Sequence, residues 1–97
     1  MTPTIEKPCS LVDLARFCHG ITPLYWQVCR EMHAGGPTWS VHHDGACIMI
    51  GGLYPLGEGR AEAWFMVTPK AAKHMRFILR ACRLTLARLS YREIIAF

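Results

Sequence analysis

Ninety-seven residues suffice for one small domain, and an apolar share of 52% excludes an intrinsically disordered chain. A net charge of +4 leaves room for an acidic partner, and the surplus is uneven: Lys70, Lys73, Arg76, Arg80, Arg83 and Arg88 fall within residues 70–88 with no acidic residue among them. No apolar run approaches the ~20 residues of a membrane helix, and MTPTIEKPCS lacks the basic-then-apolar order of a signal peptide, so a cytoplasmic protein is expected.

In chain order, residues 4–8 read as a short first strand closed by Pro8. Ser10 is placed to cap a helix, with Asp13 three residues on as its capping-box partner. Leu11, Leu14, Ala15 and Cys18 follow at helical spacing, and Gly20 stops them. Thr22-Pro23 starts a second helix, lined on one side by Leu24, Tyr25, Val28, Cys29 and Met32 and ended by Gly35-Gly36-Pro37. TWSVHHDGACIMI then signals a hairpin, with Asp44-Gly45 suited to a two-residue type I′ turn. That register pairs His43 with Ala46, His42 with Cys47, Val41 with Ile48 and Trp39 with Ile50. Residues 55–59 make the next turn, and Ala61 to Val67 form a strand with Glu62, Trp64 and Met66 on one face.

Thr68 reads as an N-cap and Pro69 as the first residue of a long helix whose apolar stripe is Met75, Ile78, Leu79, Cys82, Leu86 and Leu89. Lys70 and Lys73 stand in its first turn, where the helix dipole already supplies positive potential. Bare N–H groups with two lysines make an anion site, with phosphate the commonest occupant. His74 lies near enough to touch it. A last strand, Ile94 to Phe97, is apolar on both faces, as in a buried parallel strand. The order β-α-α-β-β-β-α-β is that of an α+β domain whose final strand–helix–strand forms a crossover with parallel strands.

The five cysteines are odd in number and show no CxxC spacing, so they read as reduced thiols, and no metal is expected. The pairing of His42 with Cys47 offers an activated nucleophile or half a metal site, but no third ligand has recognisable spacing. His19, His33 and His74 sit near helix ends, where capped or solvated roles are the default. Lys73, Arg76, Arg80 and Arg83 share one side of the long helix, a stripe able to follow a nucleic-acid backbone.

With its two helices after the first strand, its DG-turned hairpin and its strand running through Val67-Thr68-Pro69 into a helix, the chain resembles the N-terminal portion of the GNAT N-acetyltransferase superfamily. The texture of WSVHHDGACIMIGGLYPL and GRAEAWFMVTPKAAKHM is most similar to short GNAT-like proteins of tailed phages and prophages. The resemblance implies a mixed sheet of about five strands flanked by helices, with acetyl-CoA as the group donor. It places the pyrophosphate on Lys70, Ala71, Ala72, Lys73 and His74, and the pantetheine arm beside Trp64, Met66 and Val67. It gives Glu62 the role of base for the attacking amine. Two departures stand out. The family's Arg/Gln-x-x-Gly-x-Gly/Ala cradle reads Lys70-Ala71-Ala72-Lys73-His74-Met75 here, without either glycine. The sequence also stops at the end of the family's fifth strand, so the following helix and two strands have no counterpart. An exposed last strand then invites a homodimer. The competing expectation is a catalytically inactive virion or protein-interaction protein that contacts nucleic acid through its basic helix.

Overall fold

The computed structural model describes residues 2–18, 20, 22–89 and 91–96. Two cap-initiated helices follow the first strand, β1 (Thr4–Glu6). In α1 (Leu11–Phe17) the Ser10 hydroxyl accepts the Asp13 N–H, and in α2 (Pro23–Gly35) Thr22 does the same for Tyr25. Next come β2 (Thr38–His43), β3 (Ala46–Gly57) and β4 (Arg60–Val67), then a 3₁₀ turn over Pro69–His74, α3 (Met75–Ala87) and β5 (Glu93–Ala96). The fold is α+β, with one mixed sheet in the order β1-β2-β3-β4-β5. Only the β4–β5 pair is parallel.

The helices cover both faces of the sheet and create two separate cores. On one face Leu14 and Cys18 of α1 and Cys29 of α2 enclose Ile50, with Trp64 and Met66 at the margin. On the other, Ala71 and Ile78 pack on Val41 and Ile48. Leu14 and Ile50 are fully buried, each contributing about 1.5–3 kcal/mol of transfer free energy.

The hairpin turn forms as its sequence dictates: Asp44 and Gly45 both take positive φ (52° and 75°), as a type I′ turn requires. His43 pairs with Ala46 and His42 with Cys47, also as expected. Beyond that the expected register fails. A bulge at Ile48 shifts the partners, so Val41 faces Met49, Ser40 faces Ile50 and Trp39 faces Gly51. Two residues of β3 now oppose one of β2, and Ile48 stays with Val41 while Ile50 moves to the opposite core. The Ile48 carbonyl accepts both the backbone N–H and the hydroxyl of Thr68 (3.0 and 3.1 Å), one step beyond the Met49–Val67 pair of β3 and β4.

That contact also overturns the N-cap expected at Thr68, whose side chain serves β3 and caps no helix N–H. The helix therefore opens as 3₁₀. Its apolar stripe is narrower than expected: Ile78 is buried, but Met75, Leu79 and Leu86 are exposed. The buried sides of the first two helices are also rotated. Leu11, Leu24, Tyr25 and Val28 face outwards, while Asp13, Leu14 and Cys18 of the α1 segment and Cys29 of α2 face the sheet. β3 runs through Gly51-Gly52 and Pro55, so the turn contracts to Glu58-Gly59. At Gly52 the cross-strand Trp64 indole lies where a Cβ would stand, 2.7 Å from its nearest ring carbon. β5 lies at the sheet edge with Ile94 and Ile95 half-buried, which replaces the expected buried position. Phe97 and His19 lie outside the described residues.

Candidate functional site

Two places gather chemistry-bearing residues. The first is the junction of β4 with the 3₁₀ turn. β5 pairs with β4 from Arg60 to Ala63, so that edge of Trp64–Val67 meets no strand among the described residues. The Trp64 and Met66 side chains turn away from it and pack beside α1 and α2, whereas Val67 is exposed. In the 3₁₀ turn residues three apart eclipse one another, which sets the exposed Lys70 and Lys73 on one side, about 6 Å apart along the axis. Ala71 is buried under Ile78, Ala72 is exposed, and the His74 ring stacks against His43 with centroids 4.3 Å apart. The Ala71 N–H already donates to the Thr68 carbonyl (3.0 Å), so the turn offers fewer bare N–H groups than an α-helical start.

Glu62 is half-buried opposite Tyr54 of β3 and Ile95 of β5. Among the described residues no hydrogen bond or ion pair engages its carboxylate; its neighbour Arg60 pairs with Glu93 at 3.4 Å. An apolar cleft of about 140 Å³ separates the sheet from α3, bounded by Val41, Met49, Phe65 and Cys82. Glu62, Lys70 and Lys73 do not line it. Lys73, Arg76, Arg80 and Arg83 are all exposed.

The second place was only half visible in the sequence. Period-two alternation along β2 sends Thr38, Ser40 and His42 toward α1 and α2. The Thr38 hydroxyl accepts the Cys9 N–H (3.0 Å), and His42 Nε2–H donates to Asp13 Oδ2 (2.9 Å). Cys47 faces His42 across the hairpin, and one ligand atom from each of Asp13, His42 and Cys47 lies within 4.8 Å of the others. The side chains of His42 and Asp13 keep 18% and 12% exposure, so solvent reaches the group. Between these contacts, Ser40 Oγ and His42 Nδ1 are buried without a hydrogen-bond partner among the described residues.

Burial dominates the thiols here. It pushes Cys47 up to about 11, with the Asp13 carboxylate adding to the effect, and Cys9 up to about 12, with Cys47 and Asp13 contributing in turn. Among the described residues no cation offsets these effects, so Cys47 is a thiol at neutral pH and its expected role as an activated nucleophile lacks a thiolate. His33, expected at a solvated helix end, instead donates to the Cys9 carbonyl (2.6 Å) and ties α2 to the same corner.

Asp13 is the residue that sequence reasoning assigned elsewhere. Its N–H does donate to the Ser10 hydroxyl, but its carboxylate crosses to β2 and leaves the second half of the capping box unmade. The available signal was its position beside Leu14, one residue off the apolar stripe. Compared with known protein families and with curated proteins, the sequence matches no family model and no curated relative.

Proposed function

We propose that this domain is a GNAT-like acyl-CoA-binding protein that moves an acetyl group from acetyl-CoA to an amine. One observation carries the reading: the Trp64–Val67 edge, which meets no strand among the described residues, runs directly into a turn that aligns Lys70 with Lys73. Backbone N–H and C=O groups along such an edge suit the amides of a pantetheine arm, as a strand would. The two ammonium groups at its end suit a pyrophosphate, as point charges standing in for a glycine cradle. The β-α-α-β-β-β-α-β order and the parallel β4–β5 crossover support the same reading.

Among the described residues β4–β5 pairing ends at Ala63, one residue from Glu62, so an acyl group at the inner end of the open edge arrives beside that carboxylate. Glu62 then takes the proton from the attacking amine, and strand N–H groups polarise the thioester carbonyl.

Thermal unfolding with and without acetyl-CoA tests the binding step. Acetyl-CoA raises the melting temperature, and Lys70→Ala/Lys73→Ala abolishes the shift. No shift at millimolar ligand sinks the proposal.

A second reading draws on the exposed Lys73, Arg76, Arg80 and Arg83. In it the protein is catalytically inactive and meets nucleic acid or a virion partner through α3, and a second copy through the β5 edge. Salt-sensitive binding to mixed-sequence DNA, lost in Arg76→Ala/Arg80→Ala, distinguishes it.

A further inference from the structure

We propose that Asp13, His42 and Cys47 form a binding site for a zinc-class divalent cation, at the corner where α1 meets the β2–β3 hairpin. Each of the three ligands comes from a different element, and two of those are hydrogen-bonded strands, so the donor set is held by the fold itself. One carboxylate oxygen, one imidazole nitrogen and one sulfur suit zinc or cobalt; magnesium and calcium take oxygen donors and have no use for the sulfur. Three protein ligands are also the complement that leaves a coordination position open on zinc.

Local chemistry points the same way. Cys47 and Asp13 form a potentially anionic pair in a half-buried corner, with no Lys or Arg paired to either among the described residues. A divalent cation reverses that situation: it displaces the thiol proton to solvent and neutralises the carboxylate. His42 has one nitrogen on Asp13 while the other is buried without a partner among the described residues, as is the hydroxyl of fully buried Ser40, the next residue on the same file. Buried polar atoms without a partner call for an explanation, and an ion or its water is one.

The spacing needs one small change: the Asp13–His42 separation of 2.9 Å has to open to the ~3.4 Å edge of a tetrahedral zinc site, a side-chain adjustment.

The test uses cobalt(II) and zinc(II) on the full chain, with folding monitored by circular dichroism. Cobalt bound one-to-one shows sulfur-to-metal charge-transfer absorption, which zinc displaces. Cys47→Ser removes that band, while His42→Ala and Asp13→Asn weaken binding at least tenfold. Mass-spectrometric mapping of alkylation on the unmutated protein provides a readout independent of variant folding: zinc slows modification of Cys47 and leaves Cys82 unaffected. The proposal is overturned if the folded protein binds neither metal. It is also overturned if the cobalt band survives Cys47→Ser, or if zinc leaves Cys47 alkylation unchanged. None of these outcomes bears on acetyl-CoA binding, whose proposed contacts Lys70 and Lys73 are not among the three ligands.

Discussion

Asp13 and His42 are joined side chain to side chain at 2.9 Å although 29 residues separate them in the chain. The bond links the first turn of α1 to the end of β2, and both groups are largely withdrawn from water. Removing either partner leaves the other polar group unsatisfied. Asp13→Ala and His42→Ala each therefore lower unfolding free energy by about 1–3 kcal/mol. Asp13→Ala/His42→Ala costs less than the sum, with a coupling of about 0.5–3 kcal/mol. Urea titrations of the four proteins measure the cycle, and strict additivity contradicts the pairing.

Gly36 and Gly20 tolerate a methyl group for different reasons and to different degrees. A Cβ at Gly36 collides with the Leu53 carbonyl oxygen, which belongs to the backbone of β3 and cannot swing aside. At Gly20 the space is open and only its φ of 84° opposes a side chain. Gly20→Ala thus costs about 1–2 kcal/mol of backbone strain. Gly36→Ala costs more, because the collision adds overpacking of about 1–3 kcal/mol. Denaturant midpoints in the reverse order refute the register of α2 against β3.

Glu62→Gln separates binding from chemistry. Glu62 lies on β4, away from the Lys70–Lys73 turn, so the variant keeps its acetyl-CoA-dependent thermal shift. Acetyl transfer to a small amine falls by about 10²–10⁴-fold, the usual worth of a positioned base. An unchanged rate removes Glu62 from the mechanism.

Thiol ionisation gives stability a definite alkaline limit. Burial raises Cys9 to about 12 from 9.0. It raises Cys18 to about 11 from the same value, with help from Cys29. Below about pH 9 both states hold these protons, so the two thiols add no pH dependence there. Above it the unfolded chain releases them first, and stability falls until the folded thiols also ionise near pH 11–12. Urea midpoints of the metal-free protein decline from about pH 9 upward, and Cys9→Ala/Cys18→Ala flattens that decline. An identical slope in the variant assigns the alkaline loss to other groups.

Much of the fold was readable because its signals are local. Ser10, Thr22-Pro23 and Asp44-Gly45 fix where two helices and a hairpin begin, and each depends on groups within a few residues. The bulge was unreadable because Ile48, Met49 and Ile50 are all apolar. Period-two alternation carries no information in such a run, and only packing on two helical layers decides which isoleucine goes to which core. Thr68 misled because its capping signature is genuine, but the Ile48 carbonyl across β3 competes for the same hydroxyl and wins. His42 and Cys47 were legible as cross-strand partners. Asp13 was not, since its role as a helix-start residue explained it fully until tertiary structure brought β2 alongside.

The two cores also divide the molecule by how readily its parts open. Ile78 is the buried side chain of α3 and Ala71 that of the turn before it, whereas the α1–α2 side encloses Cys9, Leu14, Cys18, Cys29 and Ile50. Local unfolding free energy follows buried apolar contact, so α3 detaches from the sheet while β2, β3 and β4 stay paired and the opposite core remains closed. Amide hydrogens of α3 accordingly exchange through a sub-global opening at lower free energy than those of β3. A ligand gripping Lys70 and Lys73 acts as a clamp on that opening and slows exchange along the whole helix, well beyond the residues it touches.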